Sequence, residues 1–158
     1  MSQHDDSRMQ RPFTKAFLVR WADMDFNAHM RNTAYLDLSA DTRMLFFQEH
    51  GFAMREFERL RIGPVVRRDE VEYFRELRLL ETVTVSLSLA GLSGDASRMR
   101  LRNEFVREDG QLAAKVTSTA GWLDLAARRL ISPPAGLAEA LRSLPRADDF
   151  QELSSSVS

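Results

Sequence analysis

Between Trp21 and Asn32 the chain reads WADMDFNAHMRN, which crowds Asp23, Asp25, Asn27, His29, Arg31 and Asn32 into one short stretch. A carboxylate can serve as nucleophile or general base, and an imidazole can transfer protons near neutral pH. Asp25 and His29 stand four residues apart. The stretch is rich in turn formers and runs directly into a long helical pattern. A carboxylate that faces the positive end of a helix dipole stays ionised, which suits either chemical role. The plainer alternative is that Asp25 caps a turn or pairs with Arg31, and that His29 merely bonds Asp25 or the backbone.

The helix is defined by its periodicity. Tyr35, Leu38, Thr42 and Leu45 fall on one row, and Leu36, Ala40, Met44 and Phe47 on the next. This is the i, i+3/i+4 spacing of an apolar face. The Thr42 hydroxyl is expected to bond back to the Leu38 carbonyl. Asn32 reads as the N-cap and Gly51 as the left-handed residue that ends the helix.

At these residues the chain resembles a known family. The pattern D-x-D-x-x-x-H-x-x-N-x-x-Y-L, here Asp23 to Leu36, is similar to the start of hotdog-fold thioesterases of the 4-hydroxybenzoyl-CoA type. Ala28 stands where that family usually has Gly, and Arg31 where a second Asn is common. The resemblance implies an α+β hotdog fold, with a curved antiparallel sheet of about five strands around one long central helix. It also implies hydrolysis of an acyl-CoA, or a related acyl thioester, to a free acid and thiol.

In that reading Asp25 attacks the thioester carbonyl or activates water against it. His29 orients the water or contacts the thioester, and the backbone N–H of Asn32 hydrogen-bonds the thioester oxygen as negative charge develops. Asp23 is read as structural, holding the loop by an Asx-type turn. Tyr35 packs in the core or lines the acyl pocket. Coenzyme A carries phosphates, so Arg67 and Arg68 are candidate contacts, with the stripe Arg98, Arg100 and Arg102 as a further group. A solvated charged strand face is the blander account of all five.

Two other functions compete. Hotdog enoyl-thioester hydratases resemble D-x-N-x-x-H, in which His follows Asp by five residues; DFNAH here has it four on. A non-catalytic acyl-CoA-binding hotdog module is the third reading. The family places its sites at a subunit boundary, so a homodimer or homotetramer is expected.

The remaining elements follow from alternation. Phe13–Trp21 reads as a strand, and residues 52–60 as one or two helical turns. Gly63-Pro64 reads as punctuation before a charged strand, Val65–Phe74. Val83, Val85, Leu87 and Leu89 share one face of a strand at Thr82–Ala90. The stretch 91–95 reads as a turn, residues 98–105 as a strand, and Asp109-Gly110 as a hairpin signal feeding a strand from Gln111 to about Leu125. Leu137, Leu141 and Leu144 mark a short closing helix. A single domain is expected over residues 12–145, with flexible tails at 1–11 and 146–158.

Composition narrows the class. At 158 residues, 44% hydrophobic and a formal charge of −1, this is an ordinary globular chain without the basic balance of a nucleic-acid binder. There is no cysteine, so disulfides and thiolate metal sites are excluded. His4, His29 and His50 share no ligand spacing, and no metal or resident cofactor is expected. No apolar run reaches membrane-spanning length and residues 1–11 lack an apolar signal core, so a cytoplasmic location is expected. Lys15 and Lys115 are the only lysines among 22 basic residues.

Overall fold

The computed structural model describes residues 12–157; the flexible tail expected at 1–11 lies outside them. In chain order the elements are β1 (Phe13–Leu18), α1 (Asn32–Glu49), α2 (Met54–Leu60), β2 (Ile62–Tyr73), β3 (Thr82–Ser93), β4 (Arg98–Arg107), β5 (Leu112–Asp124), β6 (Arg129–Ile131), α3 (Ala135–Ser143) and β7 (Arg146–Leu153). A 3-10 turn, Trp21–Asp23, precedes α1. Among the described residues the sheet has seven strands, not about five. Five run in the order β1-β3-β4-β5-β2, all antiparallel; β6 adds to β5, and β7 pairs parallel with β3. An antiparallel sheet with few helices is the α+β arrangement that the resemblance implies.

One face of the sheet is the core. Val83, Val85, Leu87 and Leu89 on β3, with Met99, Leu101 and Phe105 on β4, are almost wholly buried, as their alternation requires. Helix α1 sets Tyr35, Leu38, Phe46 and Phe47 among the buried residues, whereas Leu36, Met44 and Leu45 are only half-buried and Ala40 is exposed. Its buried set also includes Ser39, Thr42 and Arg43, so polarity alone misplaces part of the face. Two of these satisfy themselves within the helix: the Thr42 hydroxyl donates to the Leu38 carbonyl at 2.7 Å, and Arg43 Nε donates to the Ser39 carbonyl. Gly51 ends the helix at φ +88°, as expected. At one end of the core Phe57 stacks on Trp122, and Phe47 meets both rings edge-on.

Three expectations fail for physical reasons. Gly63 and Pro64 do not interrupt β2 but lie within it, paired with Leu123 and Trp122. Proline is tolerated there because β2 ends the strand path. The turn expected at 91–95 starts later, since β3 continues to Ser93; Gly91 lets β7 approach, and a Cβ on it would meet the Leu153 side chain at 3.0 Å.

The third is the tail. Residues 146–153, expected to be loose, form β7. Its acidic and polar residues are matched by the arginine stripe on β4. Arg102 pairs with Asp149, Arg100 reaches Gln151, and Arg98 donates to Ser154 and Ser156. Asp95, in the β3–β4 turn, accepts hydrogen bonds from Ser93, Ser97 and Ser155, which hold its carboxyl well below the usual range. The stripe is therefore largely committed to β7.

Candidate active site

The loop before α1 is closed by its own backbone. Asp25 N–H donates to the His29 carbonyl at 2.9 Å, and Met24 bridges Met30. Asp23 is buried and clamped by Arg20, whose backbone N–H and guanidinium donate to both carboxylate oxygens at 3.0–3.2 Å. The Asp23 carbonyl in turn accepts the Arg31 N–H at 2.8 Å. Asp23 is thus structural, but through a two-oxygen ion pair and not an Asx turn. The Asx-type contact belongs to Asp25, whose Oδ1 accepts the Asn27 N–H at 2.8 Å. Ala28 adopts φ +64°, the left-handed conformation that favours glycine.

Asn32 is the first residue of α1 and not its cap. The N-cap is Arg31, which makes no side-chain cap bond; its guanidinium turns instead to Asp37, Thr33 Oγ1 and the Ala22 carbonyl. Among the described residues the Asn32 N–H meets no acceptor, as the first amides of an uncapped helix do not. Asn32 lines a cleft of about 480 Å³ together with Asp25, Asn27, His29, Met30, Tyr35, Tyr73, Phe74, Arg75 and Glu76.

Four of the six residues singled out from sequence meet there: Asp25, His29, Asn32 and Tyr35. Asp25 Oδ2 stands 3.6 Å from His29 Nδ1. Tyr35 is buried against Phe105 and Tyr73, with ring centroids 5.2 Å from each. Burial pushes its hydroxyl up to about 12, so it remains a donor and not a base. Arg67 and Arg68 are not in the cleft. They lie at the bulge of β2 between Val66 and Arg68, and Arg68 is ion-paired to Glu70 at 2.6 Å. Arg68 and Tyr73 stand five positions apart along the strand, roughly 16 Å.

The far wall, Tyr73 to Glu76, escaped the sequence reading. Tyr73 donates its hydroxyl to the Asn32 carbonyl at 3.2 Å, and Glu76 Oε1 lies 3.9 Å from His29 Nε2. A signal existed: a strand that returns antiparallel to the preceding helix ends beside that helix's N-terminus. Residues at the close of β2 must then face the loop that opens α1.

The fold and the cleft together define a class. The chain belongs to the thioesterase-like superfamily, whose family model matches residues 19–141, and this places it among thioester hydrolases. Among solved structures, a hypothetical protein from Staphylococcus aureus in complex with CoA superposes with a TM-score of 0.77 at 25% identity, over 87% of this chain and 88% of that one. A 1,4-dihydroxy-2-naphthoyl-CoA thioesterase from Synechocystis gives 0.75 at 16% identity, over 84% and 96%. A probable thioesterase from Escherichia coli gives 0.70 at 22%, over 83% and 97%. No curated protein matches the chain in sequence. Among the described residues, no helix is long and apolar enough to cross a membrane.

Proposed function

We propose that the protein hydrolyses an acyl-CoA, or a related acyl thioester, to a free acid and a thiol, with Asp25 as nucleophile or general base. The observation that carries this is the placement of Asp25 Oδ2 beside His29 in a cleft that Asn32, the first residue of α1, also lines. The antiparallel sheet with few helices, consistent with a hotdog fold, supports the same reading. In the general-base form, Asp25 takes a proton from water as the water oxygen bonds to the carbonyl carbon. The Asn32 N–H and the helix dipole stabilise the oxyanion. The carbon–sulfur bond then breaks, and the thiolate takes up the proton. No metal or resident cofactor enters this scheme; CoA belongs to the substrate.

The test is a panel of acyl-CoA substrates followed by free-thiol release, with Asp25→Ala as control. Thiol release that vanishes in the variant supports hydrolysis at this site. Loss of conjugation from an enoyl-CoA without thiol release would indicate the hydratase instead. Saturable binding of acyl-CoA with neither reaction would leave a binding module.

The working unit we propose is a homodimer, which can pair further into a homotetramer. Strand β2 ends the sheet path with its outer edge open, and exposes Val66 and Tyr73, with Phe74 just beyond, among its charged residues; a second copy can cover that edge.

A further inference from the structure

The segment Phe74–Leu77, after β2, is fixed by its backbone. Phe74 and Arg75 both donate to the Ala113 carbonyl at 2.8 and 3.0 Å, Met30 donates to the Leu77 carbonyl at 2.7 Å, and Leu77 is fully buried. Glu76 therefore extends into the cleft from an anchored position, and the His29 ring lies between two carboxylates from different parts of the chain. Nδ1 is 3.6 Å from Asp25 Oδ2 and Nε2 is 3.9 Å from Glu76 Oε1. A neutral imidazole has one N–H and one lone pair, so it can donate to only one of them.

Two observations decide which. Asp25 already receives the Asn27 N–H on Oδ1, whereas the Glu76 side chain meets no donor other than His29 among the described residues. The Glu76 contact needs only a small side-chain rotation, or one bridging water, to become a hydrogen bond. Neither separation is a direct hydrogen bond as it stands; on the Asp25 side, the 3.6 Å between Nδ1 and Oδ2 lets one water touch both. A water that donates a hydrogen to each is held by both hydrogens and presents its lone pairs to a third group.

On the hydrolase reading above, we propose that Glu76 is a positioning residue. It accepts the His29 Nε2–H, fixes that tautomer, and leaves Nδ1 as a second acceptor beside Asp25 for the attacking water. The water oxygen bonds to the thioester carbonyl carbon and its proton goes to Asp25. The carbon–sulfur bond breaks with its electron pair on sulfur, and that proton ends on the thiol. Glu76 takes part in none of these bond changes; it sets which ring nitrogen faces the water.

Long-range ¹H–¹⁵N correlation of the neutral imidazole, assigned with His29→Gln, reads the tautomer without any substrate. The parent protein should show Nε2–H. Glu76→Leu should populate Nδ1–H and lower kcat about tenfold, a part of the ~10²–10⁴ a general base supplies, with KM within about twofold. Glu76→Gln, whose side-chain oxygen still accepts, should keep the parental tautomer and most of kcat. An Nδ1–H ring in the parent, or Glu76→Leu with parental kcat, would overturn the proposal. Failure of every thioester to turn over would sink the hydrolase reading alone, since the parent spectrum still decides the role of Glu76.

Discussion

Asp25 and His29 are joined twice: the Asp25 N–H donates to the His29 carbonyl at 2.9 Å, and the side chains face each other at 3.6 Å. The backbone bond spans four residues and closes the loop, so the spacing of the pair and the approach of the side chains share one cause. An insertion between them would open the loop and separate the groups together.

If Asp25 acts on the thioester, Asp25→Asn should remove most of the turnover while leaving folding and CoA affinity nearly intact. Asn keeps the shape and the acceptor for the Asn27 N–H, and lacks charge and basicity. A loss of about a hundredfold or more in kcat, ~2.7 kcal/mol in the barrier, is expected. Near-parental turnover on the best substrate would reduce Asp25 to a loop-forming residue.

Much of this site was legible because it is local. Asp25, His29, Asn32 and Tyr35 are set by one loop and the helix it opens, and short-range spacing reports such geometry. Tyr73 and Glu76 reach the cleft from the end of β2 and the segment after it, more than forty residues away, so only the pairing of β2 reveals them. The arginine stripe misled for the opposite reason: period-two spacing places Arg98, Arg100 and Arg102 on one face, but not the partners that occupy them. Strand β7 was missed because few of its residues face the core, with Phe150 and Leu153 half-buried and the rest of its pairing met by β3 and the arginines.

The open edge of β2 predicts a stable dimer at micromolar concentration. Size-exclusion chromatography with light scattering should give twice the 18.1 kDa chain mass, or a multiple of that. A monodisperse monomer would count directly against the edge being an interface.

Leu38 packs with Val19, Tyr35, Leu77 and Phe105 in the cluster beneath the cleft and is 5% exposed. Leu38→Ala should cost about 2–5 kcal/mol, through lost burial and the cavity left behind. Urea unfolding measures this, and a variant as stable as the parent would contradict the packing of α1.

Asp23 contributes to acid stability. Burial works to raise its carboxyl, but the hydrogen bonds from Arg20 and the charges of Arg20 and Arg31 outweigh it and hold it below its usual value. A depressed folded value contributes stability above the unfolded one, near 3.9, and loses it as pH falls through the folded one. Asp23→Asn should therefore destabilise at neutral pH, by about 1–2 kcal/mol given the exposed Arg20 end. The gap to the parent should close as both are titrated below pH ~4. A gap that stays constant into acid would mean the carboxylate charge is not what holds the loop.

Ala28 offers a test of opposite sign. Replacing alanine by glycine ordinarily destabilises, because the unfolded chain gains freedom worth about 0.4–1 kcal/mol. At φ +64° the alanine Cβ carries a left-handed strain of roughly 1–2 kcal/mol that glycine does not. The second term exceeds the first, so Ala28→Gly should raise stability by up to about 1 kcal/mol in urea unfolding. The loop between Asp25 and His29 then relaxes in the conformation it already has, and KM for the best acyl-CoA should stay within about twofold. A destabilisation of the ordinary size would show that Ala28 is not held in the left-handed conformation in solution. The 2.9 Å closure from Asp25 to His29 would then need another turn geometry to bring their side chains together.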